Sequence, residues 1–174
     1  LFAVTIPEKA GSFKRFCKEL GNRSITEFNY RYANNNDAHI FVGLELKKGD
    51  NERQEILDHL RQKGITIDDL TDNEMAKLHI RHMVGGRNKN VENECLFRFQ
   101  FPERPKALLD FLNHMSQNWN ISLFHYRNHG AAYGRVLVGL QIPKEDQNAF
   151  QQFLKKLGYT YVDETDNPAY KLFL

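Results

Sequence analysis

The chain repeats itself. Displaced by 95 residues, Phe2, Pro7, Glu8 and Phe16 fall on Phe97, Pro102, Glu103 and Phe111. At a displacement of 96, Ile25-Thr26-Glu27-Phe28-Asn29-Tyr30-Arg31 falls on Ile121-Ser122-Leu123-Phe124-His125-Tyr126-Arg127, and Val42-Gly43-Leu44 on Val138-Gly139-Leu140. At 94, Gly64 falls on Gly158, Thr71-Asp72-Asn73 on Thr165-Asp166-Asn167, and Lys77-Leu78 on Lys171-Leu172. The order holds along all 174 residues, and the displacement drifts only between matched blocks. Such a chain is two small units of one plan rather than a single unrepeated domain.

Each copy carries the same succession of patterns. Phe2 to Ile6 alternates with the period of a strand. Pro7 to Ser12 is turn and helix-start material, with Ser12 placed to cap. Phe13, Phe16, Cys17 and Leu20 form one apolar helix face. Ile25 to Tyr32 and Ala38 to Leu46 read as strands around the turn-forming Asn34-Asn35-Asn36-Asp37. Glu52 to Gln62 reads as a helix with Ile56, Leu57 and Leu60 inward, ended by Gly64. Ile65-Thr66-Ile67 opens a fourth strand. The order βαββαβ is the ferredoxin-like plan. The second copy repeats it from Leu96 to Val162, with Pro105 at the first turn of its helix. The fold expected is therefore α+β: two tandem ferredoxin-like modules with antiparallel sheets.

One sheet face of such a unit lies under its helices. The other needs cover, which a second copy or a partner can supply. Thr71 and Glu74 have capping-box spacing, so a short helix is expected between Thr71 and His82. Val84-Gly85-Gly86-Arg87-Asn88-Lys89-Asn90 reads as linker. The boundaries expected are 1–83 for the first module with its connecting helix, 84–94 for the linker and 95–174 for the second module.

Composition narrows the function classes. Net charge is +2 and 26% of residues are charged, which describes a soluble globular chain. No apolar run approaches the roughly 18 residues of a membrane helix, and no basic block calls for nucleic acid. Cys17 and Cys95 have no metal or redox spacing; Cys17 lies in the apolar helix pattern and reads as core. A cytoplasmic, reducing setting fits. The chain opens at Leu1, already in strand pattern and without a leader, so the expectation is a segment of a longer polypeptide.

Function has to come from motifs, because the plan hosts many activities. Pro7-Glu8 before a helix, Thr26-Glu27-Phe28-Asn29-Tyr30-Arg31, Met83-Val84-Gly85-Gly86-Arg87, Asn120-Ile121-Ser122-Leu123-Phe124-His125-Tyr126-Arg127 and Asp163-Glu164-Thr165 occur together. This set resembles the C-terminal regulatory domain of biosynthetic threonine deaminases, and the resemblance covers essentially the whole chain. It implies a pair of ACT-like modules following a catalytic domain that uses pyridoxal phosphate. It implies isoleucine as inhibitor, valine as its antagonist, and a homo-oligomeric parent enzyme, a threonine ammonia-lyase. No catalytic site is expected here. Ser12-Phe13-Lys14-Arg15 is similar to the sequence around that enzyme's Schiff-base lysine, but Lys14 lies off the apolar face and no glycine-rich phosphate loop accompanies it.

A free amino acid offers a carboxylate, an ammonium and a side chain. A helix start suits the carboxylate. Gly11 permits close backbone approach, Glu8 can pair with the ammonium, and Phe13 can wall an aliphatic side chain. The other reading makes Gly11 and Ser12 a plain turn, Glu8 a solvated charge and Phe13 core. Arg23 either holds a carboxylate or is simply exposed. The resemblance associates Tyr30 and Tyr126 with effector binding, although tyrosine also packs well on sheets. Arg31 and Arg127, on the opposite strand face, either bridge the copies or are solvated. In the second copy Glu103, Leu108 and Tyr126 persist, but Lys106 replaces Gly11. The first-copy site therefore ranks higher. His79 and His82 have helical metal spacing without an evident third ligand. Two other classes remain: a structural oligomerisation module, and an RNA-binding domain of the same plan, whose expected third-strand pattern is lacking from Ala38 to Leu46.

Overall fold

The computed structural model describes the chain except residues 84, 87, 89, 103, 105 and 128–132, and the side chain of residue 172. The first copy forms β1 (Phe2–Pro7), α1 (Ser12–Leu20), β2 (Ile25–Arg31), β3 (Asp37–Leu44), α2 (Asp50–Gln62) and β4 (Thr66–Asp69). A short helix α3 (Glu74–Leu78) and a 3-10 turn (Ile80–His82) follow. The second copy forms β5 (Glu94–Pro102), α4 (Ala107–His114), β6 (Asn120–Arg127), β7 (Tyr133–Gln141), α5 (Gln147–Leu157), β8 (Thr160–Asp163) and a closing helix α6 (Pro168–Phe173). The βαββαβ order is present in both copies.

Among the described residues, eight strands join one antiparallel sheet in the order β4-β1-β3-β2-β6-β7-β5-β8. In each copy the second strand would be an edge with unpaired N–H and C=O groups. Pairing β2 with β6 satisfies both edges at once. Asn29 stands opposite His125, flanked by Phe28 opposite Tyr126 and Tyr30 opposite Phe124. Because Asn29 and His125 are themselves repeat equivalents, the seam has a pseudo-two-fold at that pair.

The second copy thus adds edge to edge instead of stacking on the free sheet face. Helices α1, α2, α4 and α5 cover one face, called the front. Phe16, Ile56, Phe111 and Phe150 from those helices are at most 1% exposed and share one core with Phe28, Ile40, Phe97 and Phe124. The opposite, back face is covered by chain segments. Leu70, Ile80 and Met83 lie near Ala3 and Phe41 of the first copy. In α6, Tyr170 bonds Glu94 at the start of β5.

Three helix starts differ from the sequence pattern. Gly11, not Ser12, is the N-cap of α1, at φ 87° and with no side-chain cap bond; Ser12 is its first helical residue and is buried. Asn73, not Thr71, caps α3, accepting from the Ala76 N–H at 3.0 Å. Thr71 is occupied elsewhere, its hydroxyl accepting from the Leu1 amino group at 3.2 Å. Pro105 lies outside the described residues. Helix α2 starts two residues early because the Glu52 carboxylate turns back to accept from the Lys47 and Lys48 N–H groups at 2.7 and 3.0 Å.

Candidate functional site

The two-fold seam creates two related places where the β–α loop of one copy faces the end of the first helix of the other. At the first-copy loop, Glu8 leaves β1 half-buried. Its carboxylate accepts from the Tyr30 hydroxyl and, at 3.2 Å, from Asn120 Nδ2 of the second copy. Asn120 Nδ2 also reaches Gln141 Oε1 at 3.1 Å. Burial raises the Glu8 carboxyl above its ordinary pKa, while the two donated bonds oppose that shift. Burial, and then the adjacent Glu8, push the Tyr30 hydroxyl upward. Gly11 is exposed, and a Cβ there would meet nothing within 4 Å. Phe13 is buried, its ring 4.9 Å from Phe28, 5.9 Å from Tyr30 and 5.4 Å from Phe124. Phe13 therefore ties α1 to both central strands.

At the second-copy loop the structure holds a cavity of about 410 Å³. Such a volume is in the range of small-molecule sites. The end of α1 supplies Cys17, Leu20 and Gly21, and the following turn Arg23, Ser24, Ile25 and Thr26. Glu45 is also in the lining. From the second copy come Phe101, Pro102, Arg104, Lys106, Ala107, Leu108 and Tyr126. The lining combines aliphatic and aromatic surface with three cationic side chains and one carboxylate. A zwitterion with an apolar side chain needs those three features.

Arg23 is held at this cavity. Its Nη1 donates to the Leu20 carbonyl at 3.0 Å, and its Nε lies 3.5 Å from the Glu52 carboxylate. In the second copy the equivalent residue is Trp119, whose Nε1 donates to Asp146 at 2.8 Å. The two places consequently differ in charge. Lys106 takes the same left-handed backbone as Gly11, at φ 72° against 87°, and is the N-cap of α4. The lysine thus follows the glycine's backbone path. Arg104 is exposed and paired with Asp110 at 2.9 Å.

The structure gathers Arg23, Leu108 and Tyr126 at one cavity, and Glu8, Phe13 and Tyr30 at the other loop beside Gly11. Glu103 lies outside the described residues. The ranking of the first-copy loop stands as an expectation; the 410 Å³ cavity is at the second. Sequence reading missed Arg104, Glu45 and Asn120. The repeat register could have pointed to Asn120, the equivalent of Ser24, only if the edge pairing of β2 with β6 had been known.

The other candidates resolve individually. Arg31 bridges the copies: its guanidinium pairs with Glu94, and Nη2 donates to the Leu174 carbonyl at 2.8 Å. Arg127 Nη1 is 3.3 Å from His82 Nδ1. Cys17 is buried, and burial pushes its thiol pKa up. Lys14 lies outside the buried stripe of α1. Among the described residues no group of three or more His, Cys, Asp or Glu side chains is placed to hold a metal ion. The alternating Phe97, Phe99 and Phe101 of β5 are buried on the helix-covered face. Among the described residues no helix is long and apolar enough to cross a membrane.

Fold and cavity together define a duplicated ferredoxin-like module with a small-molecule-sized cavity at the seam of its copies. The model of the family described as the C-terminal regulatory domain of threonine dehydratase matches residues 1–80 and 85–174. The chain belongs to this family, as its motifs indicated. It is 55% identical over its whole length to L-threonine dehydratase biosynthetic IlvA of Burkholderia multivorans and 54% identical to that of Escherichia coli. It is 44% identical, over 98% of its length, to the mitochondrial threonine dehydratase of Saccharomyces cerevisiae. It spans 34% of the two bacterial relatives and 31% of the yeast one.

Proposed function

We propose that this chain is the sensing part of a biosynthetic threonine dehydratase, binding isoleucine as feedback inhibitor and valine as antagonist at the seam of its two copies. The observation that carries the reading is the cavity itself. Leu20, Ile25, Leu108 and Tyr126 offer an aliphatic side chain an apolar wall, while Arg23, Arg104, Lys106 and Glu45 supply the charged part of the lining. The cations suit a carboxylate and Glu45 an ammonium. The first-copy loop, with Glu8, Gly11, Phe13 and Tyr30, is the second place of the same design. The remaining two thirds of such an enzyme would hold the pyridoxal phosphate, which supplies the lyase chemistry; no residue of this chain is assigned to it. The partners are the catalytic domain of the same polypeptide and further subunits, in the cytoplasm.

Isoleucine and valine differ by one methylene, worth about 0.8 kcal/mol when buried. A pocket for one will admit the other, with discrimination of roughly 10–200-fold at most. Opposite effects then require unequal preference for two states of the enzyme. A thermal-shift titration against all the proteinogenic amino acids tests the reading. A selective, saturable rise with isoleucine or valine is the expected result; a flat response across the set contradicts it. The exposed edge strand β8, with Tyr161 and Val162 at 40% and 43% exposure, favours a second role in subunit assembly. Ultracentrifugation with and without isoleucine separates the two, since assembly indifferent to ligand favours the structural role.

A further inference from the structure

On the back of the sheet, behind the seam, Arg81, Met83, Gly85, Gly86 and Asn88 between the copies meet β2 and Tyr32 in sequence order. Arg81 pairs with Glu27, its Nε donating at 3.1 Å. The Met83 carbonyl accepts from Asn29 Nδ2. The Gly86 carbonyl accepts from Arg31 Nε at 3.2 Å, and Asn88 Nδ2 donates to the Tyr32 carbonyl at 2.6 Å. Gly85 lies directly on Arg31. Its φ is +94°, and an added Cβ would come within 2.5 Å of Arg31 Cβ and 2.6 Å of Cγ. Only glycine meets both demands.

This segment is fastened at points instead of being packed down. Met83 is 58% exposed, and a hollow of about 270 Å³ lies between the segment and the sheet, bordered by Phe41, Leu70 and Ile80. An element held by a few polar anchors over little apolar contact belongs to the less stable end of a fold. Arg31 extends the chain of contacts. Its side chain is 8% exposed and grips Glu94 of β5, itself 6% exposed, together with the Leu174 carbonyl. Buried ion pairs of this kind contribute little net stability and can serve instead to fix one arrangement.

β2 therefore has a different partner on each face. Its front carries Tyr30, and its start, Ile25 and Thr26, lines the cavity. Its back carries Glu27, Asn29 and Arg31, all engaged by the strap or the second copy. We propose that the strap formed by Arg81, Met83, Gly85, Gly86 and Asn88 reads the state of the seam cavity through β2, with Asn29, Arg31 and Gly85 as positioning residues. The proposal rests on the amino-acid reading above. A ligand that shifts β2 against β6 moves the three back-face anchors with it, because both faces share one backbone.

The test uses the full-length dehydratase carrying this domain, with Gly85→Ala to lift the strap off Arg31 and, independently, Asn29→Ala to release Met83. Isoleucine affinity is measured by calorimetry and inhibition by activity at varied isoleucine. The expected result for both variants is an affinity within about threefold of the parent, with half-inhibition requiring at least about tenfold more isoleucine, a normal size for a lost allosteric coupling. Inhibition curves that superimpose on the parent's overturn the proposal. So does a parallel shift of affinity and inhibition by one factor, which would mark the strap as purely structural. A parent enzyme that binds no amino acid is a distinct outcome: it overturns the site reading, and the strap's role falls with it.

Discussion

Lys106 holds the position that Gly11 holds in the first copy, and both are left-handed helix caps. For a side chain that conformation costs about 1–2 kcal/mol. Lys106→Gly should accordingly raise stability by about 1 kcal/mol, and Gly11→Ala should lower it by about as much or more, since the space around Gly11 is open and the backbone alone is at issue. Midpoints of urea unfolding check both; changes of equal sign would contradict the assignment. Glu8 gives a pH signature. Its folded carboxyl titrates above the ordinary carboxylate value because it is half-buried. The sign follows from linkage: its share of stability is full below the unfolded pKa and is lost as pH rises through the folded one. Glu8→Gln, which keeps an acceptor for Tyr30, should remove that loss. The variant should gain on the parent as pH rises from about 4 toward neutrality, as read from unfolding midpoints across that range. From sequence, Glu8 was a solvated charge or an ammonium partner. Its bond to Asn120, 112 residues away, was not legible, because it exists only across the seam.

At the scale of the element, helices and strands were largely legible and their caps were not. Apolar spacing on α1 and α2 follows the buried stripes of Phe13, Phe16, Cys17, Leu20 and of Ile56, Leu57, Leu60. Capping depends on which oxygen is turned toward the first N–H groups, and that is decided by tertiary position. Ser12 is turned inward beside the core, and Thr71 is claimed by Leu1. The central strands show what joins the copies: Phe124 is fully buried, with ring contacts to Phe13 at 5.4 Å, Phe28 at 5.5 Å and Phe101 at 6.4 Å. Phe124→Ala should cost about 3–5 kcal/mol in chemical unfolding. A loss near that of an exposed position would contradict its place in a shared core. Gly43 and Gly139 make room for carboxylates on the back face, where a Cβ would stand 2.6 Å from Glu27 Cγ and 2.8 Å from Glu94 Oε1. The repeat aligned those glycines, but their purpose emerges only with the side chains in place.

At the scale of the whole molecule, the repeat predicted two units, while the structure shows one sheet and one core that draws on both. Sequence alternation specifies which residues face a core. It does not specify whether two βαββαβ units stack faces or join edges, because both satisfy the same pattern. With β2 and β6 paired and Phe13 packed across the seam, the copies should unfold as one cooperative transition. Calorimetric and van't Hoff enthalpies should then agree; two separated transitions would contradict a shared core. The cavity at that seam is the central claim. The measurement that tests it most directly is calorimetric titration of the chain with isoleucine, beside Leu108→Trp, which fills the cavity from α4. Saturable binding by the parent chain, weakened by at least about tenfold in the variant, is the result expected. Binding that the substitution leaves unchanged would contradict it.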